Sequence, residues 1–243
     1  MGFAYLKINV DAVAMDYDRT IADERKGFMI SDDVKEELMR FVHFKRMLAT
    51  GRRFDDIPDR DVLRVFDVIV TENGTIMNTD GGRSKEILVK SERWGKIRSE
   101  ITGIMNKSGM RVYTGDVVLA GYKDDALELA TKIGEAGLGD EVEMEFNKEG
   151  LLIMPKGWNK GRGVREVMKR MGCTRLLGIG DDLNDLSLLR ASDVGVAVKN
   201  AVPELKAIAD IICEYEDGYG VIEVLRLIEG HTNDHGFSTE RIL

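Results

Sequence analysis

Acidic residues gather where apolar runs of this chain end. The stretch Val10 to Met15 (VDAVAM) runs directly into Asp16-Tyr17-Asp18-Arg19-Thr20. Two carboxylates two positions apart, just past a strand, can be aimed by backbone alternation into one crevice. There one can attack phosphorus while the other passes protons to and from leaving group and water. Aspartate is ionised at neutral pH, so it suits a hydrolysis split into two displacements. In isolation, D-x-D-x-T fits a solvated strand end or turn equally well.

Three further blocks offer complementary chemistry. In Ala49-Thr50-Gly51-Arg52 a hydroxyl and a backbone N–H can hold phosphoryl oxygens, and Gly51 lets the backbone come close. Lys160, within Gly157-Trp158-Asn159-Lys160-Gly161, supplies a point positive charge that can neutralise both a phosphate and an ionised nucleophile. Gly178-Ile179-Gly180-Asp181-Asp182-Leu183-Asn184-Asp185 is the most specific block. Asp181 and Asp185 are four apart and share a face if a helix starts early. One can ligate a cation while the other orients its water or the lysine. Taken singly, these blocks also read as a plain turn, a surface lysine and an acidic helix N-terminus. Together they form a crowd of carboxylates that repel one another unless a cation sits among them. Hard oxygen ligands favour magnesium.

These residues need elements that end where they stand. Apolar runs at Val10 to Met15, Arg46 to Ala49, Asp67 to Val70, Leu176 to Ile179, Val194 to Val198 and Ile211 to Cys213 predict buried strands. Helical stripes lie between them: Val34, Leu38, Phe41 and Val42 behind a Ser31 cap, and Val164, Val167, Met168 and Met171 before Gly172. Strands alternating with helices predict an α/β fold with a doubly wound parallel sheet covered on both faces. In such sheets ligands bind at the carboxyl ends of the strands, where the four blocks fall.

The middle of the chain follows another pattern. Glu86 to Lys90, Arg111 to Tyr122, Glu141 to Phe146 and Leu151 to Pro155 read as longer strands, with a hairpin turn at Asn147-Lys148-Glu149-Gly150. Two amphipathic helices lie among them, one carrying Trp94, Ile97, Ile101 and Ile104, the other Ala126, Leu129, Ala130 and Ile133. The expectation is an α+β cap over residues 79–156, inserted into a core formed by residues 1–78 and 157–243. Such a lid would exclude water and read the leaving group. Arg83, Arg93, Arg111 and Lys123 are its candidate substrate contacts, while Trp94 is expected in its core.

In order and content, the four blocks resemble the haloacid dehalogenase superfamily of phosphohydrolases. Response-regulator receivers use similar residue types but place an acidic pair first and the lysine last in a shorter domain. Glu72-Asn73-Gly74, Gly195 to Ala201, Pro203 to Ala207 and Asp217-Gly218 are similar to the Cof-like, type IIB branch. The resemblance implies a Rossmann-like core with an inserted cap, and Asp16 as nucleophile with Asp18 as general acid/base. It implies magnesium held by Asp16, the backbone carbonyl of Asp18, and Asp181, supported by Asp185. Thr50, Gly51, Lys160 and Asn184 would grip the phosphoryl group, and Arg52, Asn73 and Arg111 would face the substrate. Two departures stand out. Arg19 occupies a position that is usually Gly in the family, and the stretch from Phe41 to Thr50 is short.

Composition sets the outer limits. The formal net charge is -8, without clustered Lys and Arg, so a polyanionic nucleic-acid partner is not expected. No apolar run reaches the length of a membrane span, and no signal-peptide pattern opens the chain. Cys173 and Cys213 are far apart and lack zinc-type partners, as expected of reduced thiols in the cytoplasm. His231 and His235 lie in a polar tail and are not expected to form a metal site. The expected partner is a small phosphorylated metabolite, a sugar phosphate or a phosphoglycolate-like acid, and the expected assembly is a monomer or homodimer. A phosphomutase-type transferase and a non-catalytic phospho-ligand sensor are the alternatives. A mutase has to retain and reorient a bisphosphate, for which the cap is small, and a sensor needs no ionised nucleophile.

Overall fold

The computed structural model describes residues 9–229. The His231 and His235 pair therefore lies outside the described residues. An eight-stranded sheet forms the core, in the order β12-β11-β10-β1-β2-β3-β4-β5. Its parallel part comprises β1 (Ala12–Met15), β2 (Lys45–Ala49), β3 (Val68–Thr71), β10 (Leu176–Gly180), β11 (Val194–Ala197) and β12 (Ile211–Ile212). Strands β4 (Ile76–Thr79) and β5 (Ser84–Ile87) extend it as an antiparallel hairpin.

Alternation along the buried strands sorts their side chains between two apolar layers. Val13, Met15, Leu48 and Ile69 point into one, which is closed by α1 (Asp32–Arg40), α2 (Val62–Val65), α7 (Pro203–Lys206) and α8 (Asp217–Glu229). Ala12, Ala14, Met47, Ala49, Val68 and Val70 point into the other, beneath α5 (Lys160–Met171) and α6 (Leu186–Ala191). With Val13↔Leu177 and Val13↔Arg46 in register, β1 is central, and its end at Asp16 lies between the ends of β10 and β2.

A second, four-stranded antiparallel sheet runs β6-β7-β9-β8, with β6 (Tyr113–Thr114), β7 (Leu119–Tyr122), β8 (Val142–Asn147) and β9 (Gly150–Pro155). One face carries Leu119, Val142, Leu151 and Ile153 and packs on α3 (Trp94–Lys107) and α4 (Ala126–Glu135). Trp94 is buried there and donates from Nε1 to the Val117 carbonyl. The opposite face carries Val118, Leu152 and Met154, which join the apolar layer of the core.

Two expectations are corrected. The strand expected from Glu86 to Lys90 is Ser84–Ile87 and pairs within the core sheet, so residue 79, drawn as the boundary, is the last residue of β4. The single strand expected from Arg111 to Tyr122 is two strands. Its middle is held by Glu72, whose buried carboxylate accepts from the N–H groups of Asp116, Val117 and Val118 at 2.8, 2.8 and 2.9 Å. Those donors leave the ladder for a charged acceptor. A Cβ on Gly115 would come within 2.4 Å of that carboxylate, so only glycine fits.

Candidate active site

The site forms where β1, β2, β3 and β10 end. Asp16 closes β1 and is 5% exposed, and its neighbour Tyr17 turns the other way and is fully buried. Lys160 opens α5 behind the N-cap Asn159, whose side chain accepts from the Arg162 N–H. Gly74 (φ +95°) brings the β3–β4 turn against this helix start. A Cβ there would lie 2.4 Å from the Asn159 carbonyl oxygen. The lysine is thereby driven inward. It is fully buried, with Nζ 2.6 Å from Asp16 Oδ1 and a second bond to Asp185 Oδ1.

Asp185 also anchors the β10 end. Its Oδ2 accepts from the backbone N–H groups of Asp181 and Asp182 at 3.0 and 3.1 Å, completing a capping box on the Leu183–Asp185 turn. Asp16, Asp181 and Asp185 each offer a carboxylate oxygen within 4.8 Å of the others, and all three are buried. Burial and the Asp185 charge push the Asp16 carboxyl up to about 7, against the pull of Lys160. Burial and the charges of Asp16 and Asp185 push Asp181 up to about 9. Burial opposes a charged Lys160, but Asp16 and Asp185 outweigh it and hold its pKa above the usual lysine range. Carboxylates placed so close are short of positive charge.

Three buried side-chain polar atoms among the described residues lack a hydrogen-bond partner: Asp181 Oδ2, Asn184 Nδ2 and Asn73 Oδ1. All three belong to this cleft. Buried polar atoms are almost always paired, so the cleft is built for a ligand. The crowded carboxylates and the orphaned Asp181 oxygen fit a hard divalent cation. The orphaned amide of Asn184 fits an anionic oxygen.

The structure brings most of the expected residues together. Thr50 is buried at the β2 end and its Oγ1 accepts from the Arg52 N–H at 3.1 Å. A Cβ on Gly51 would lie 3.9 Å from Asn184 Nδ2. Asp18 stands at the rim, its carboxylate gripped by Arg52 through Nε (3.0 and 2.9 Å) and an Nη (2.6 Å). The Arg52 guanidinium also covers the Phe28 ring, 4.8 Å from its centre. Arg52, expected to face the substrate, is thus engaged by Asp18. Asn73, expected likewise, donates to Glu145 Oε2 at 2.7 Å.

Arg111 is not brought to this end of the cleft. Its guanidinium is stabilised by the neighbouring Tyr113 and Tyr122, whose hydroxyls are 3.2 Å apart. The register Tyr113↔Ala120↔Leu152 sets that cluster two strands from Leu152, about 10 Å away at the usual strand spacing. Arg93 pairs with Glu141, and Lys123 lies over the Phe146 ring. Arg83 stands exposed next to β5.

The sequence gives Thr20, Glu145 and Asn147 no site role and marks Arg19 only as a departure. Thr20 donates to Asp181 Oδ1 at 3.2 Å, a role foreshadowed only by its place in D-x-D-x-T. Arg19 adopts φ +61°, and its guanidinium lies 3.5 Å from Asp181 Oδ2 and 3.7 Å from Glu24. From the cap, Glu145 and Asn147 of β8 face the cleft, and nothing in their own sequence marks them. Burial raises Glu145 from its ordinary value, opposed by its bond from Asn73 and by the Lys160 charge.

The comparisons agree with this geometry. A family model described as haloacid dehalogenase-like hydrolase matches residues 84–225. A phosphoglycolate phosphatase of Sulfurisphaera tokodaii is 35% identical over 231 residues, covering 93% of this chain and 96% of that protein. Among solved structures, a Thermoplasma acidophilum protein superposes with a TM-score of 0.74 at 17% identity, over 90% of this chain and 98% of the other. A subclass IIB sugar phosphatase superposes with a TM-score of 0.73 at 17% identity, over 89% and 98%. The last two likenesses are of fold. No helix among the described residues is long and apolar enough to cross a membrane.

Proposed function

The chain belongs to the haloacid dehalogenase-like hydrolases and is a phosphatase of that family, and from this premise we propose that it hydrolyses a small phosphorylated metabolite through a phospho-aspartyl intermediate on Asp16, with magnesium as cofactor. The observation that carries the reading is the buried Asp16–Lys160–Asp185 bridge beside the orphaned Asp181 oxygen. Asp16, Asp181 and the Asp18 carbonyl would hold the cation, with Asp185 behind them. When bound, magnesium supplies the positive charge that lets the anionic nucleophile and phosphoryl group approach.

Asp16 attacks phosphorus, and the bond to the leaving oxygen breaks as Asp18, protonated and released from Arg52 in this step, delivers its proton there. Asp18 then takes a proton from water as the water oxygen bonds phosphorus and the Asp16–phosphorus bond breaks. Free phosphate departs and Asp16 is restored. Lys160, Thr50, the Gly51 backbone and Asn184 hold the phosphoryl oxygens, and Arg52 fixes the Asp18 carboxylate against the rim. The closest chemical guide to the substrate is the similarity to phosphoglycolate phosphatase, which favours a compact phosphorylated acid. We place the activity in the cytoplasm.

The test is a screen of phosphorylated metabolites read as released phosphate. Turnover in magnesium that EDTA abolishes and that needs no bisphosphate activator supports the reading. Ligand binding without turnover would point to a sensor, and dependence on a bisphosphate would point to a mutase.

A further inference from the structure

The cap sheet comes down onto the phosphoryl-binding end of the cleft beside Gly51. A methyl group placed on Gly51 would lie 3.5 Å from Leu152 Cδ1, which is van der Waals contact, and 3.9 Å from Asn147 Nδ2. The same point is 3.9 Å from Asn184 Nδ2. Two carboxamides, one from the core and one from the cap, thus border a single small space beside Gly51. The core amide is buried and has no partner. The Asn147 side chain likewise forms no hydrogen bond among the described residues. The buried, unpaired Asn184 amide calls for a ligand with acceptor oxygens, and the half-buried Asn147 amide beside the same point is within reach of such a ligand.

We propose that Asn147 is a specificity residue, donating a hydrogen bond to an anionic oxygen on the leaving group of the compact phosphorylated acid named above. The inference rests on the phosphatase reading above. Thr50, Lys160 and Asn184 come from the core and take the phosphoryl oxygens, so the donor from the cap side meets the rest of the molecule. Leu152 leaves about the room of one added methyl above Gly51, a low roof that suits a two- or three-carbon acid better than a sugar ring. Along β8 the side chains of Glu145 and Asn147 share a face about 7 Å apart. Glu145 is tied to Asn73, so the carboxylate of a ligand meets a donor beside Gly51 and a like charge beyond it. The two residues fix both the place and the size of the anionic group.

The experiment compares 2-phosphoglycolate with ethyl phosphate, which has the same chain length but no carboxylate oxygens. kcat/KM is measured for both with wild type, Asn147→Ala and the isosteric Asn147→Asp. The expected result is a fall for 2-phosphoglycolate at least about tenfold larger than for ethyl phosphate in Asn147→Ala, the worth of one hydrogen bond to a charged group. In Asn147→Asp the difference should be larger still, because a donor becomes a like charge. Equal falls for the two substrates, or no fall, would overturn the proposal, as would a wild-type enzyme that prefers ethyl phosphate. If wild type hydrolyses neither ester nor any other phosphomonoester in magnesium, the phosphatase reading itself fails and takes this inference with it. The ratio of the two substrates is unaffected by partial misfolding, so a purely structural role for Asn147 gives the equal-fall outcome.

Discussion

Lys160 Nζ lies 2.6 Å from Asp16 Oδ1, with the lysine fully buried and the aspartate nearly so. The lysine comes from the first turn of α5 and the aspartate from the end of β1, so their contact joins the two halves of the core across the inserted cap. A buried charge pair of this kind costs most when one partner is removed.

Asp16→Asn keeps the shape and a bond to Lys160 but removes the nucleophile. Turnover should fall by about 10⁴-fold or more while the fold is retained. Lys160→Met leaves Asp16 and Asp185 buried without their cation and should cost about 3–5 kcal/mol. Phosphate release and urea denaturation check the pair. A Lys160→Met protein as stable as wild type would remove the lysine from the charge balance described here.

Burial and neighbouring carboxylates push the carboxyls of Asp16 and Asp181 up to about 7 and about 9, well above their ordinary value. A raised carboxylate binds its proton more tightly folded than unfolded. Its stabilising contribution is full below the unfolded value near 4 and is lost as pH rises through the folded value. The metal-free protein should therefore lose several degrees of Tm between pH 5 and pH 9. Magnesium should restore more at pH 9 than at pH 5, because it competes with those protons. Thermal melts with and without EDTA decide this, and a flat profile in EDTA would contradict it.

Arg19 places a fixed positive charge 3.5 Å from the Asp181 oxygen that a cation would use, and does so from a left-handed backbone that disfavours side chains. Arg19→Gly relieves both. Magnesium should bind about tenfold more tightly to this variant, as expected for removing a partly screened like charge at short range. Isothermal titration with magnesium alone reads the result, and an unchanged Kd would show that the guanidinium does not oppose the cation.

Glu72→Gln keeps one acceptor oxygen and turns the other into a donor facing a donor. With the 116–118 amides stripped of their charged acceptor, stability should drop by about 2–4 kcal/mol. Hydrogen exchange should quicken first at Asp116, Val117 and Val118. Exchange at those amides no faster than in wild type would mean that the carboxylate does not hold them.

The candidate site residues Asp16, Thr50 and Asp181 were legible because each stands at the end of an apolar run, and a parallel sheet collects strand ends along one edge. Asp16, Thr50 and Asp181 needed no more than that rule. The cap was legible as a unit but not in its contacts. Which cap side chains face the cleft depends on how the second sheet is docked, and Arg111 ended two strands away while Asn147, read only as a turn residue, came to Gly51. The strand that became β5 was assigned to the cap because an antiparallel strand carries the same local pattern wherever it sits. The break inside residues 111–122 came from Glu72, a partner more than forty positions away that no local reading reaches. Likewise Arg52 was known as a cation near the site, but only the fold shows that Asp18 claims it.

Glu72 and Asn73 are neighbours in one tight turn with left-handed backbones, φ +48° and +54°. One fastens the β6–β7 margin of the cap sheet and the other fastens β8. A plate pinned near both margins from a single turn tilts but does not lift away. Withdrawing the cap sheet from the cleft would have to break both attachments, so the β3–β4 turn couples the position of the cap to that of Lys160, whose helix start it abuts.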